Sequence, residues 1–177
     1  MFVSRTNQVR GEEWKVLLQK IADKILISEL LSGYCRMLDT MALNEVDAYF
    51  TEDCVVEFGP DARLNACGSA DLAEKLSRLW RWRRTAHHLS NVEVQLLGDN
   101  RASAMSYVLA WHQRDDGTTA ILYGLYRDAL IGTAKGWRIY HRRQEMNGSE
   151  PAFPIGIFPA ERRPPPPGWT VPEHLKA

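Results

Sequence analysis

Residues 85–117 read TAHHLSNVEVQLLGDNRASAMSYVLAWHQRDDG, and the division of this stretch decides the fold. Residues 89–97 form a run rich in Leu and Val that stops at Gly98-Asp99-Asn100, and residues 102–113 form a second that stops at Asp115-Asp116-Gly117. Long β-prone runs separated by turns bearing Gly, Asp and Asn are the marks of antiparallel hairpins. Toward the C-terminus, residues 118–131, a loop at 132–136 and residues 137–144 extend the same meander.

Toward the N-terminus the period changes. Across residues 12–43, Ile21, Ile25, Ile27, Leu30, Leu31, Tyr34, Leu38 and Met41 recur at helical spacing and predict one long helix, broken at most once. Asn44, a favourable N-cap, opens a short helix over 44–50; a strand at 55–58 closes on Gly59-Pro60. Ser69 is the N-cap of a third helix over 70–82, with Leu72, Leu76, Leu79 and Trp80 as its buried stripe. Helices first and sheet second predict an α+β fold, a strongly curved and mainly antiparallel sheet with helices on one face, rather than an alternating βαβ crevice. There is no glycine-rich phosphate loop, no G-x-S-x-G and no H-E-x-x-H, which removes the signatures of nucleotide binding, serine hydrolysis and zincin chemistry.

Composition bounds the rest. The 177 residues, 45% hydrophobic, suffice for one domain and its core. Twenty-two basic and 22 acidic residues cancel, so no net field draws the chain to nucleic acid or to an anionic membrane, and an uncharged small molecule is the expected ligand. Cys35, Cys54 and Cys67 lack paired spacing, the N-terminus is polar, and no run of 18 apolar residues occurs; a cytoplasmic protein without disulfides is expected. Eight of the nine prolines lie from Pro151 onward. The predicted organisation is an extension over 1–11, a single body over 12–147 and a proline-rich tail over 148–177. Phe153, Ile155, Ile157, Phe158 and Trp169 are too apolar for a free linker, so the tail is expected to lie on the body or on a neighbouring subunit.

Few side chains stand out chemically. Asp39 falls near the end of an apolar helix, and His112 shares a strand face with Ala104, Ser106, Val108 and Ala110, small residues that would floor a cavity. Strict alternation puts His88 with Val92, Val94 and Leu96 on the apolar face and His87 on the polar one. Trp80-Arg81-Trp82-Arg83-Arg84 reads as a helix C-terminus, where arginines meet the negative end of the dipole and tryptophans pack. His141 and His174 have no metal-ligand spacing; neither a metal nor a cofactor is signalled.

Three stretches in order, ISELLSGYCRMLD (27–39) running into DAYFTEDC (47–54), TAHHLSN (85–91), and GLYRDAL (124–130) followed by GWRI (136–139), resemble the SnoaL-like, scytalone dehydratase-like branch of the NTF2-like superfamily over residues 20–146. The resemblance implies a cone-shaped α+β fold. It implies Asp39 and His87 as an acid–base dyad facing each other in the cone, His112 as an auxiliary acid, and Tyr34, Leu38, Phe58, His88, Asn91 and Tyr126 as the residues around a substrate. It selects His87 where alternation selects His88; a bulge near the start of the strand would reset the phase in favour of His87. In scytalone dehydratase two tyrosines hold the water that polarises the substrate carbonyl, and the corresponding positions here are Leu38 and Phe58, so that particular activity is not expected. The implied function is a cofactor-independent lyase or isomerase acting on a small, largely apolar cyclic molecule. The alternative is a non-catalytic ligand-binding or structural subunit, as in ring-hydroxylating dioxygenases. A homodimer or homotrimer is expected, because the outer face of a curved sheet needs a partner.

Overall fold

The computed structural model describes residues 3–151, Phe158 and residues 166–170, with side chains from Gly11 onward. Helix α1 (Val3–Thr40) is continuous, starting before the expected position at residue 12. Its buried face begins at Ile27 and continues through Leu31, Tyr34 and Leu38, whereas Ile21 and Ile25 are exposed. The helical period holds there, but among the side chains described those before Ile27 stay outside the buried core. Gly33 permits that packing: a Cβ on it would stand 2.7 Å from Cε1 of Tyr49. The helix ends at Met41, whose φ of 56° leaves the right-handed region.

A 3-10 helix (Leu43–Ala48) follows in place of the short helix capped by Asn44; its N-cap is Ala42, with no side-chain cap bond. Strand β1 (Phe50–Glu57) is longer at its N-terminal end than the sequence suggested, and β2 (Ala66–Cys67) is a short edge strand. Helix α2 (Ser69–Leu76) is capped by Gly68 rather than Ser69 and passes into a 3-10 helix (Ser77–Arg81). That tightening from 3.6 to 3.0 residues per turn corrects the expected stripe. Leu72 and Leu76 are buried as predicted, but Trp80 swings out to solvent, 66% exposed, and Trp82 is the tryptophan that packs inside.

Strands β3 (Arg84–Gly98), β4 (Arg101–Gln113), β5 (Thr119–Thr133) and β6 (Gly136–Glu150) form the antiparallel meander, and β1 joins β6 in parallel to give the order β2-β1-β6-β5-β4-β3. The architecture is α+β, helices packed on a six-stranded mixed sheet. In β4 the even-numbered residues from Ala102 to His112 are all buried, so the small-residue face read from the sequence is the face turned to the core. The expected placing of His88 on one face with Val94 and Leu96 fails because the β3–β4 register shifts between Ser90 and Glu93, where Asn91 takes a φ of 50°. An inserted residue reverses the sidedness of everything before it. Of the tail, Phe158 meets the body: its carbonyl accepts from Met146 N–H at 2.9 Å, and its ring lies under the Arg143 guanidinium, 3.7 Å from centroid to Cζ. Phe153, Ile155 and Ile157 lie outside the described residues, and Trp169 is exposed.

Inside the meander sits a charged pair that the sequence did not announce. Arg142 on β6 donates from Nε and Nη2 to the two carboxylate oxygens of Asp128 on β5, at 2.6 and 2.9 Å, and neither side chain has any exposed area. Its Cζ lies 4.1 Å from the ring centroid of Tyr126, 4.3 Å from that of Tyr34 and 5.4 Å from that of Phe50. Burying two ions is expensive unless geometry is close to ideal; here a bidentate fork and three ring faces offset the cost. Removing one partner leaves the other charged and dry. Asp128→Ala is therefore expected to lower unfolding stability by about 3–5 kcal/mol in a urea titration, whereas a variant that replaces both residues with apolar ones of similar size is expected to lose much less.

Candidate functional site

The C-terminal end of α1 and the start of β3 bring together residues that lie 48 apart in sequence. Asp39 Oδ1 is 2.6 Å from His87 Nδ1, Oδ2 accepts from the His87 backbone N–H at 3.0 Å, and the Thr85 hydroxyl donates to Oδ1 at 2.9 Å. Burial pushes the Asp39 carboxyl up, but the hydrogen bonds from His87 and Thr85 outweigh it and hold the group below its usual value. An ionised carboxylate only accepts, so Nδ1 of His87 must be the donor and, in the neutral ring, Nε2 carries the lone pair. The His87 side chain is 5% exposed.

His87 lines a cavity of about 110 Å³. Its walls are largely apolar: Leu38, Phe58, Leu76, Leu79, Leu122 and Met146 contribute, with Tyr34 and Tyr126 on one side. An apolar hole of roughly 150 Å³ admits benzene, so the space suits a compact, single-ring molecule. Burial raises both phenols above their ordinary value, which keeps them protonated. His112 enters from β4, its ring centroid 5.6 Å from that of His87 and 5.0 Å from that of Trp82. Burial, and then the neighbouring His87, depress His112 to about 4, so it is neutral near pH 7. It can donate or accept a hydrogen bond there, but it cannot hold a spare proton in reserve.

Of the residues expected around a substrate, Tyr34, Leu38, Phe58 and Tyr126 line the cavity with His87 and His112, and Asp39 stands behind His87. His88 and Asn91 do not: His88 is exposed on the opposite side of β3, and Asn91 is the exposed residue at the bulge. The bulge accounts for both corrections, since it turns His87 inward and spends Asn91 on the turn of the backbone. The cavity also takes in Arg78, Arg81, Trp82 and Gln144, none of which the sequence reading placed there. Arg81 and Trp82 lay in a cluster read as a helix end, and only the 3-10 turn reveals which way each points. Burial pushes the thiols of Cys35 and Cys54 up to about 12 and about 11, so both stay protonated near pH 7. Among the described residues no three His, Cys, Asp or Glu side chains converge as a metal site requires, and no helix is long and apolar enough to cross a membrane.

Residues 19–143 match the family model described as a SnoaL-like domain. A solved structure from Novosphingobium aromaticivorans, provisionally named a scytalone dehydratase, superposes with a TM-score of 0.76 at 25% identity, covering 82% of this chain and 97% of that one. A second protein of that organism, provisionally named an aromatic ring hydroxylase, has a TM-score of 0.66 at 26% identity over 71% of this chain and 90% of that one. The hexachlorocyclohexane dehydrochlorinase LinA-type3 of Novosphingobium barchaimii shares the fold, with a TM-score of 0.68 at 15% identity over 81% and 99% of the two chains. No curated protein gives a significant sequence match.

The neutral, buried state of His112 has a measurable signature. An unfolded histidine titrates near 6.5 and this one near 4, so between those values the unfolded chain binds the extra proton and stability falls as pH falls. His112→Asn is expected to flatten the decline of unfolding free energy between pH 6.5 and pH 4 by up to about 3 kcal/mol relative to wild type. Denaturant titrations across that range, compared between the two proteins, make the check.

Proposed function

Because the chain belongs to the SnoaL-like domain family, we propose that it is a cofactor-independent lyase that removes water, or a comparable leaving group, from a compact cyclic molecule by acid–base chemistry in the cavity. The observation that carries this reading is the Asp39–His87 contact at 2.6 Å with His87 lining a largely apolar cavity. The lone pair on His87 Nε2 takes a proton from a substrate carbon. Asp39, kept ionised, stabilises the imidazolium that forms and fixes the ring's tautomer. As the carbon–oxygen bond breaks, the departing oxygen needs a proton. His112 is neutral, so the proton that His87 has just accepted is the one returned, with His112 as a hydrogen-bonding group for the leaving oxygen. That favours departure from the face of the ring that lost its proton. If the leaving group stays, the same dyad returns the proton to a different carbon, which is isomerisation.

A single-ring hydroxyketone panel, followed in heavy water by mass spectrometry, tests the proposal through loss of water and, where the leaving group stays, through uptake of deuterium at the carbon that is reprotonated. His87→Ala is expected to lower both by about 10²–10⁴-fold; equal turnover by the two proteins would sink the dyad. Asp39→Asn is expected to retain substrate binding and lose rate, because the amide no longer stabilises the imidazolium. The second reading, a non-catalytic subunit of a ring-hydroxylating enzyme, draws on the N. aromaticivorans neighbour named for that activity. It predicts co-purification with a larger iron-containing chain and no deuterium uptake at all.

A further inference from the structure

The charges around the cavity do not balance. Among the described residues its lining includes two arginines, Arg78 and Arg81, and no Asp or Glu. Asp39, which stands behind His87, is committed to His87 and Thr85. Among the described residues neither arginine forms an ion pair with a carboxylate; the acids engage Lys15, Arg63, Lys75, His87, Arg127, His141, Arg142 and Arg143 instead.

Arg78 is held in place by two contacts. Its Cζ lies 4.4 Å from the centroid of the Phe58 ring, and Nη1 donates to the Lys75 carbonyl at 3.0 Å. Neither contact neutralises charge. Burial depresses the guanidinium below its ordinary value, and the neighbouring charge of Arg81 acts in the same direction. Arg81 in turn lies over Trp82, 5.5 Å from Cζ to the ring centroid, and its charge contributes to depressing His112. Arg78 is half-buried and Arg81 exposed, and a cation taken partly out of water without a carboxylate partner is costly in a folded protein. An anionic ligand would remove that cost, and a planar guanidinium with free N–H groups matches a planar carboxylate.

We propose that the ligand of this cavity is a compact ring compound bearing a carboxylate, and that Arg78, seconded by Arg81, is the residue that selects it. The inference rests on the cavity being a substrate site, as proposed above; it narrows the substrate class from a compact cyclic molecule to a cyclic organic acid, in place of the uncharged ligand expected from the net charge. The apolar walls take the ring; the guanidinium takes the anionic oxygens while His87 faces the same space. A chain with no net charge can still present an anion-attracting interior, because among the described residues the cavity lining includes arginines and no acidic side chain.

Titration calorimetry with benzoate and with its neutral isostere benzamide, at pH 7, tests the selection apart from any catalysis. Benzoate is expected to bind the wild-type chain at least about tenfold more tightly, with shifts of the Trp82 and His112 side-chain resonances placing it in the cavity. Arg78→Gln is expected to bring the two ligands within about threefold of each other, and Arg78→Lys to keep part of the preference. His87→Ala is expected to keep all of it, so a failed catalytic reading and a failed anion site give different results. Benzoate binding no more tightly than benzamide to the wild-type chain, including binding of neither, would overturn the proposal without recourse to any variant. So would an undiminished preference in a folded Arg78→Gln protein.

Discussion

The Arg142–Asp128 pair is the constraint around which the interior is arranged. It joins β5 to β6 across adjacent strands, has no exposed area, and is enclosed by Tyr34 from α1, Phe50 from β1 and Tyr126 from β5. Four separate elements therefore have to be in register before the guanidinium has both its carboxylate and its cover of rings. Tyr34 and Tyr126 are also cavity walls, so the rings that cover the buried cation are the rings a ligand would touch. The base of the cavity inherits its rigidity from an electrostatic requirement: a displaced tyrosine would leave a charge without its cover.

At the His87 wall of the cavity the Asp39–His87 contact ties the end of α1 to the start of β3. Its strength comes from redundancy. Three donors converge on one carboxylate, and the resulting ionised Asp39 dictates the tautomer of His87. Burial, and then the neighbouring His87, push His112 toward neutrality. Two histidines with ring centroids 5.6 Å apart thus have distinct capacities, one equipped to take a proton and one limited to hydrogen bonding. Arg78 and Arg81 add positive charge to the same space, so the cavity is polarised although the chain as a whole is neutral.

The fold was largely legible because it follows from local periodicity and turn chemistry. The strand–turn grammar of residues 85–144 and the helical spacing of Ile27, Leu31, Tyr34 and Leu38 both survive in the structure. Errors arose where period alone is ambiguous. The spacing of Ile21 and Ile25 is as helical as that of Leu31, yet spacing does not say where the helix leaves the sheet. Trp80 and Trp82 exchanged places because a 3-10 turn and an α-turn read alike in sequence. Asn91 and His88 were misplaced by a bulge that no periodic rule locates.

The sequence by itself determined an α+β body, the small-residue face of β4 that ends in His112, and Asp39, His87 and His112 as the residues worth watching. These depend on neighbours along the chain, or on family resemblance carried by short runs. The tertiary structure alone decided that His87 rather than His88 lines the cavity, that Arg142 and Asp128 share a dry interior, and that Arg78 and Arg81 join the walls. Each of these is a statement about which face a side chain presents and what lies across from it. Bulges, 3-10 turns and ion pairs between strands set those faces through contacts made only when distant segments meet, and a sequence read residue by residue contains no measure of them.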